Sequence, residues 1–511
     1  MKITKLALLA SAAALLSSPA LAQKSKDTLR IAVNNPFAVL SGYHLPVDDA
    51  GAIYRDVYEG LIAYDEHKKK YIPMLAKAWR RVAPDTLEFD LRDDIKFHNG
   101  NAFDADDVVA TVNYVKDPKV KLTFKRRYSW VKRVEKLGKF KVRIVSKKVN
   151  SVDLGNMAYR IVMWDAETMA KLDKVSDYGR LSPVGTGSYK VLQVDKNKGT
   201  IVERYAGYNS NKEYNRAGIK RIHAISMPDR QTQVAQLMVG GIDLIRNVQP
   251  DTAKNLKTNP ALRVTAVPAP SIFYIALDSV NKSGNKAISD PRVRLAIHKA
   301  IDRDKLIKHL VPGGEVATKL EALCFKETTI ACKYTVKAPE YDLEGAKKLM
   351  IEAGYPNGFD LDYLVYTPMV QLGEAVAGEL RKIGVRAKIT PATIGLYRRK
   401  QGQGKLQAWS ILFPTGSHPD AASILGVYFN GGGNQYYGDP LLRQGIRDAA
   451  AEFTVAKRAD HYQKVFDRVN EMHYVFPITS IPSVYAHSKD VKLVTDSMST
   501  GDVWIGNFEW N

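Results

Sequence analysis

Between Glu379 and Asp420 the chain carries no acidic residue, while Arg381, Lys382, Arg386, Lys388, Arg398, Arg399, Lys400 and Lys405 all fall in that interval. A buried ammonium must meet a carboxylate, so a site built from this stretch suits an anionic or neutral guest better than a cationic one. Asp420 is the first acid after the gap and the one charge in its loop, Phe413-Pro414-Thr415-Gly416-Ser417-His418-Pro419-Asp420, that could hold an amine. His418 stands alone there, and a metal would need partners that the loop does not supply. Trp409, Phe413, Tyr436 and Tyr437 bring rings that can wall an apolar pocket or fill a core.

Further candidates follow strand ends. Asn35 and Tyr43 come after the apolar run Thr28 to Val33, and Arg246-Asn247 after Ile242 to Ile245; open α/β sheets hold ligands outside the carboxyl ends of their strands. Tyr274 lies on the apolar stretch Ser271 to Leu277. A catalytic set is missing: there is no GxSxG elbow, no HExxH helix, and no clustered Cys-His or carboxylate pair. The glycines of Pro183 to Tyr189 (PVGTGSY) lack the Lys-Ser/Thr ending of a phosphate-binding loop and read as a tight turn before a strand. Binding without turnover, and without a cofactor or metal, is the expectation; a secreted hydrolase is the weaker alternative.

The elements that would position these residues are well marked. Leu87, Phe89 and Leu91 alternate with Glu88, Asp90 and Arg92, and Ile95 and Phe97 resume the alternation, which predicts a strand with one buried face. After His98-Asn99-Gly100, Asp104 is placed to cap a helix carrying Val108, Val109, Val112 and Val115. Asp229 opens a helix with Val234, Leu237 and Met238 inward, and Asp290-Pro291 opens one with Val293, Ala296, Ile297 and Ala300. Asp342 caps a further helix, Leu372 to Ile383 continues the series, and Trp409 to Leu412 reads as a short strand. Strands alternating with helices imply α/β layers.

Lys2 and Lys5, the apolar run Leu6 to Leu16 and Ala20-Leu21-Ala22 make residues 1–22 a cleavable secretory signal, so a periplasmic protein is expected. The remainder is too long for one core and should form two or three lobes. Cys324 and Cys332, the only cysteines, read as a local disulfide in a secreted chain, with free thiols as the alternative and a zinc site disfavoured for want of ligands. Lysines and arginines outnumber acids 75 to 54, a formal charge of +21. Thirteen of them lie between Lys119 and Lys148 against one acid, Glu135. Alternation of Phe140, Val142 and Ile144 with basic residues makes that run one wet face of a strand; steering of anions is the other reading, and nucleic acid is not expected.

The strand, His98-Asn99-Gly100 turn and Asp-capped helix, together with Tyr58 to Leu61 (YEGL), Pro73 to Trp79 (PMLAKAW), PVGTGSY, Asp290 to Arg303 (DPRVRLAIHKAIDR) and Ala346 to Gly358 (AKKLMIEAGYPNG), resemble the extracytoplasmic solute-binding proteins of the peptide and nickel type, which feed ABC importers. That resemblance implies a two-lobe, hinged α/β periplasmic-binding-protein fold with an extra third domain. Lobe I would comprise 23–57, 181–270 and 480–511, lobe II 58–180, and lobe III 271–479. It implies a monomer that captures a peptide or peptide-like solute and hands it to a membrane permease, with an opine, sugar or metal chelate as alternative cargo. In the family's peptide binders an Asp in the 413–420 loop pairs with the ligand amine; here that position falls near Thr415, and only a shifted register would give Asp420 the role.

Overall fold

The computed structural model describes residues 27–34, 38–44, 48–66, 68–414, 418–430, 436–495 and 503–511. The predicted signal, Asn35 and Thr415 lie outside them. Three sheets organise the chain. The first has seven strands in the spatial order Leu262–Val267, Ser483–Ser488, Leu244–Arg246, Thr28–Val33, Arg221–Ser226, Gly199–Arg204, Tyr189–Asp195. Thr28–Val33 runs parallel to Arg221–Ser226 in continuous register, and the Arg30 guanidinium ties it to Asp243 with contacts of 2.9 and 2.7 Å. Helix Arg230–Met238 covers this sheet, and the Asp229 carboxylate accepts from the Thr232 amide at its start. Met238, expected inward, is 58% exposed. In so short a helix the inward face is set by Gln233 and Leu237 four residues apart, and Gln233 satisfies its amide on Met227 O and Asn34 Oδ1.

A second, six-stranded sheet joins Arg386–Ala392, Asp360–Tyr366, Ala408–Ser410, Ser271–Leu277 and Leu412–Pro414, with Val475–Ser480 also on Ser271–Leu277. The run expected as one strand from Trp409 is thus two short pieces: the first pairs on both sides, the second only with Ser271–Phe273. Helix Pro291–Ala300, capped by Asp290 with Pro291 in its first turn, buries Val293, Ala296, Ile297 and Ala300 as their spacing requires. Cys324 and Cys332 are bonded, their Cα atoms 5.9 Å apart.

The third sheet is antiparallel, Ala76–Ala83, Thr86–Leu91, Lys141–Ser146, Val131–Gly138, with helix Ala105–Lys116 behind it. Asp104 and Asp107 form a reciprocal capping box at that helix. The strand stops at Leu91 although the apolar alternation continues. Arg92 folds onto Asp94, Nε to Oδ1 2.8 Å, and Ile95 and Phe97 reach the core from the turn that follows. On the outer face much of the basic run is neutralised: Arg143 and Lys141 converge with Arg80 on Glu88, and Lys136 pairs with Asp106 at 2.7 Å.

The seven- and six-stranded sheets are joined by two adjacent crossings, Val267 to Ser271 and Ser480 to Ser483. Leu262–Val267 pairs antiparallel with Ser483–Ser488 on one side, and Ser271–Leu277 with Val475–Ser480 on the other, so the crossings form one ribbon passing through both sheets. Pro268, Pro270 and Pro482 interrupt it, since proline has no N–H for the ladder, and Ile481 N donates to Ser271 O at 2.8 Å across the break. Two thin strands bent together have the form expected of a hinge. Among the described residues no helix is long and apolar enough to cross a membrane.

Candidate functional site

Helix Asp153–Arg160, which follows the antiparallel sheet in the chain, is seated against residues 418–458 of the part built on the six-stranded sheet. Arg81 holds its first residue, Asp153, through two contacts of 2.7 and 2.9 Å. Ser151 reaches across: its amide donates to Ala450 O and its hydroxyl to Ala449 O, both at 3.1 Å, and its carbonyl accepts from Arg458 Nη1 at 2.9 Å. Gly155 faces the His418 ring, where a Cβ would stand 1.9 Å from Nε2, and the Tyr159 ring lies 5.8 Å from the same imidazole. The absence of a side chain at Gly155 is what allows this approach.

The expected site residues divide here. Asp420 is buried and fully engaged: Oδ1 accepts from the Ala422 amide as the cap of helix Ala421–Tyr428, and Oδ2 pairs with Arg458 Nη2 at 2.5 Å. Burial pushes its carboxyl up and the Arg458 charge opposes that. A ligand ammonium would therefore have to displace a buried guanidinium, and the shifted-register role is not supported. His418 is brought to the junction, its Nε2 buried without a hydrogen-bond partner among the described residues, and burial followed by the charges of Arg160 and Arg458 holds the imidazole neutral.

Most of the aromatic candidates are core. Tyr43 is 1% exposed, its hydroxyl donates to Val162 O at 2.5 Å and accepts from Val162 N at 3.0 Å, and its ring packs edge-on against Trp164. Tyr274 meets the Tyr428 hydroxyl inside the six-stranded lobe, and Tyr436 donates to Gln401 O at 3.2 Å beside Trp409. Phe413 is half-buried against Tyr428. Trp409 is 1% exposed, yet its Nε1 finds no acceptor among the described residues. Asn247 is exposed at the end of its strand with φ 56°, and its carbonyl is held by Arg230. The alternation of polar and aromatic residues could not separate pocket wall from core because both are buried in the folded chain.

What the sequence reading missed lies on the facing lobes. Tyr54, Arg55, Glu59, Tyr159, Tyr214 and Trp504 line a cavity of about 40 Å³. The Arg55 guanidinium sits over the Tyr159 and Trp504 rings, at 5.8 and 5.3 Å. Glu66 accepts from the Tyr159 hydroxyl at 2.9 Å, and burial pushes its carboxyl up to about 7. Tyr64 and Tyr159 pack into the same apolar cluster as Trp409 and Tyr428, so the two lobes share one aromatic interior. Arg160 ends the helix that makes the junction. The signal for it was present: in Met157-Ala158-Tyr159-Arg160-Ile161-Val162-Met163-Trp164 one cation interrupts an apolar run with no acid three or four residues away.

Residues 70–436 match the family profile of bacterial extracellular solute-binding proteins, family 5, middle region. The chain belongs to this family. Its members are the substrate-binding components of ABC importers, and this protein is one of them. It is 27% identical to a glutathione-binding protein of Pectobacterium atrosepticum over 416 residues, 79% of this chain and 76% of that one. Its fold superimposes on a periplasmic binding protein from Helicobacter pylori in complex with the peptide STSA at a TM-score of 0.76, with 20% identity over 96% of this chain and 99% of the other. A binding protein of A. tumefaciens in complex with agropinic acid gives a TM-score of 0.73, 22% identity and coverage of 95% and 99%.

Proposed function

We propose that this family member receives a peptide or peptide-like solute with acidic character in the periplasm, closes over it about the 268–270 and 481–482 hinge, and releases it unaltered to a membrane permease. The observation that carries the acidic preference is the engagement of Asp420 by Arg458, which leaves the loop's one described acid unable to receive an amine. The relatives named above, which bind glutathione, a tetrapeptide and agropinic acid, bracket the size of guest such a cleft takes. No step needs a nucleophile or a proton carrier, so the protein acts as a carrier and not an enzyme. Closure is a population shift: the guest favours the closed form only through contacts it makes better there.

The test is thermal melting of the purified protein with glutathione, STSA peptide and agropinic acid offered singly. A guest at a hundredfold excess over its Kd adds about 2.7 kcal/mol of stability. Recovery of the solute chemically changed would overturn the carrier reading.

A further inference from the structure

The two-stranded ribbon between the seven- and six-stranded sheets has a companion. Residues 311–319, which follow helix Arg303–Leu310, run alongside the ribbon and touch it on both sides of its break. On the six-stranded side, Thr318 is bound to the last residues before the crossing. Its carbonyl accepts from Ser480 N at 2.9 Å and from Thr479 Oγ1 at 3.3 Å, and its amide donates to Ser480 Oγ at 2.7 Å. Lys319 extends this as an antiparallel bridge to Thr479, and its ammonium is held by Asp304 at 3.0 Å. On the seven-stranded side, Gly313 rests directly on the ribbon. Its backbone is left-handed, with φ 66°, and a Cβ there would stand 2.7 Å from Ala266 Cβ and 3.2 Å from Val484 Cγ2. Ala266 and Val484 face each other in register beside the crossing. Two residues further on, Glu315 reaches Lys257 Nζ at 3.9 Å, at the end of helix Pro250–Leu256.

This segment crosses where the ribbon is weakest. Pro268, Pro270 and Pro482 remove N–H groups from the ladder, so the two strands by themselves bend easily. The companion is anchored to one side by hydrogen bonds and only leans on the other, through a bare glycine and an ion pair whose side chains are 56% and 61% exposed. Such contacts resist bending without locking it. Room to bend is present as well: a cavity of about 590 Å³ separates helices Pro250–Leu256 and Arg303–Leu310, with Val264, Ala266 and Val484 in its lining. We propose that residues 311–319 are a strap that sets the angle between the parts built on the two sheets, with Gly313 as its bearing surface and Lys257–Glu315 as its salt-sensitive contact. The inference rests on the reading of a carrier that closes about this ribbon. It adds the element that fixes how far the ribbon is bent before a solute arrives, and so how much of the solute's binding energy closure consumes.

The test reads the angle directly. Spin labels are placed at Lys196→Cys on the seven-stranded part and Lys348→Cys on the six-stranded part, both exposed, in a chain with no free cysteine among its described residues. Their separation is measured by pulsed dipolar spectroscopy without solute. Glu315→Lys sets like charges against each other and is expected to shift the distance distribution. Salt at about 1 M, where the screening length is about 3 Å, should return it toward wild type. The exchanged pair, Lys257→Glu with Glu315→Lys, should restore it at low salt. Gly313→Ala should shift it in a way that salt does not reverse. Unchanged distances in both Glu315→Lys and Gly313→Ala overturn the strap, as does a shift that the exchanged pair leaves in place. A fall in melting temperature with unchanged distances assigns these residues to the fold alone and overturns it too. Affinity for glutathione, STSA peptide or agropinic acid should change about threefold in Glu315→Lys and recover in the exchanged pair. Distances that shift as stated while none of the three solutes binds support the strap and count against the solute reading, so the two fail separately.

Discussion

Gly155 presents bare backbone to a buried imidazole ring, and a methyl group there would overlap His418 Nε2. Replacing a helical glycine by alanine ordinarily stabilises by about 1 kcal/mol. Here the gain in the helix and the clash across the junction act on different states, so Gly155→Ala is expected to leave the melting temperature of the solute-free protein within about 2 °C of wild type while weakening solute binding about tenfold. Calorimetric titration beside a melting curve separates the two. Asp420 gives the opposite pattern. Its side chain and that of Arg458 are 1% and 4% exposed. Removing one member of a buried pair costs about 3–5 kcal/mol because the other is left uncompensated. Asp420→Asn should therefore lower the denaturant midpoint strongly; an unchanged midpoint with lost binding would restore Asp420 to the ligand.

At the scale of elements, helix Ala105–Lys116 and the hinge ribbon carry separate loads. The Asp104 and Asp107 carboxylates receive each other's backbone N–H at the helix start, and Asp107 also accepts from Ala166 at 2.8 Å. Asp104→Ala removes only the cap and should cost about 1 kcal/mol in urea denaturation with no effect on affinity. In the ribbon, Pro268, Pro270 and Pro482 prevent a continuous ladder from stiffening the crossing. The same elements show where sequence patterning reaches its limit. Caps at Asp104, Asp229, Asp290 and Asp342 were legible because the capping contact is local. The end of the strand at Leu91, the split of the Trp409 run and the exposure of Met238 were not, because each depends on which neighbour the chain meets.

Over the whole molecule, burial leaves interior acids that ionise with difficulty. Desolvation pushes Asp56 up to about 8 and Glu59 up to about 7, against hydrogen bonds from Gly506 and from Thr186, Tyr208 and Asn215 that pull the other way. The folded values exceed the unfolded ones, so the native state holds more protons between about pH 4 and 8, and stability falls as pH rises through that window. Buried histidines such as His418, held neutral in the fold, give the opposite slope in the lower part of that window, so the acid contribution is read by comparison: Glu59→Gln is expected to lose less stability between pH 5 and pH 8 than the wild type does, and parallel profiles would contradict it.

From its sequence alone this chain declared a two-lobe α/β binding protein, a disulfide between Cys324 and Cys332, and a stretch free of acids between Glu379 and Asp420, because capping, alternation, motif order and charge balance are written in residues near one another. Which aromatic rings line a cavity and which fill the core was decided only by the fold. Those outcomes turn on partners hundreds of residues apart, such as Arg458 and Ser151, and on the burial that sets what a charge costs once water is gone.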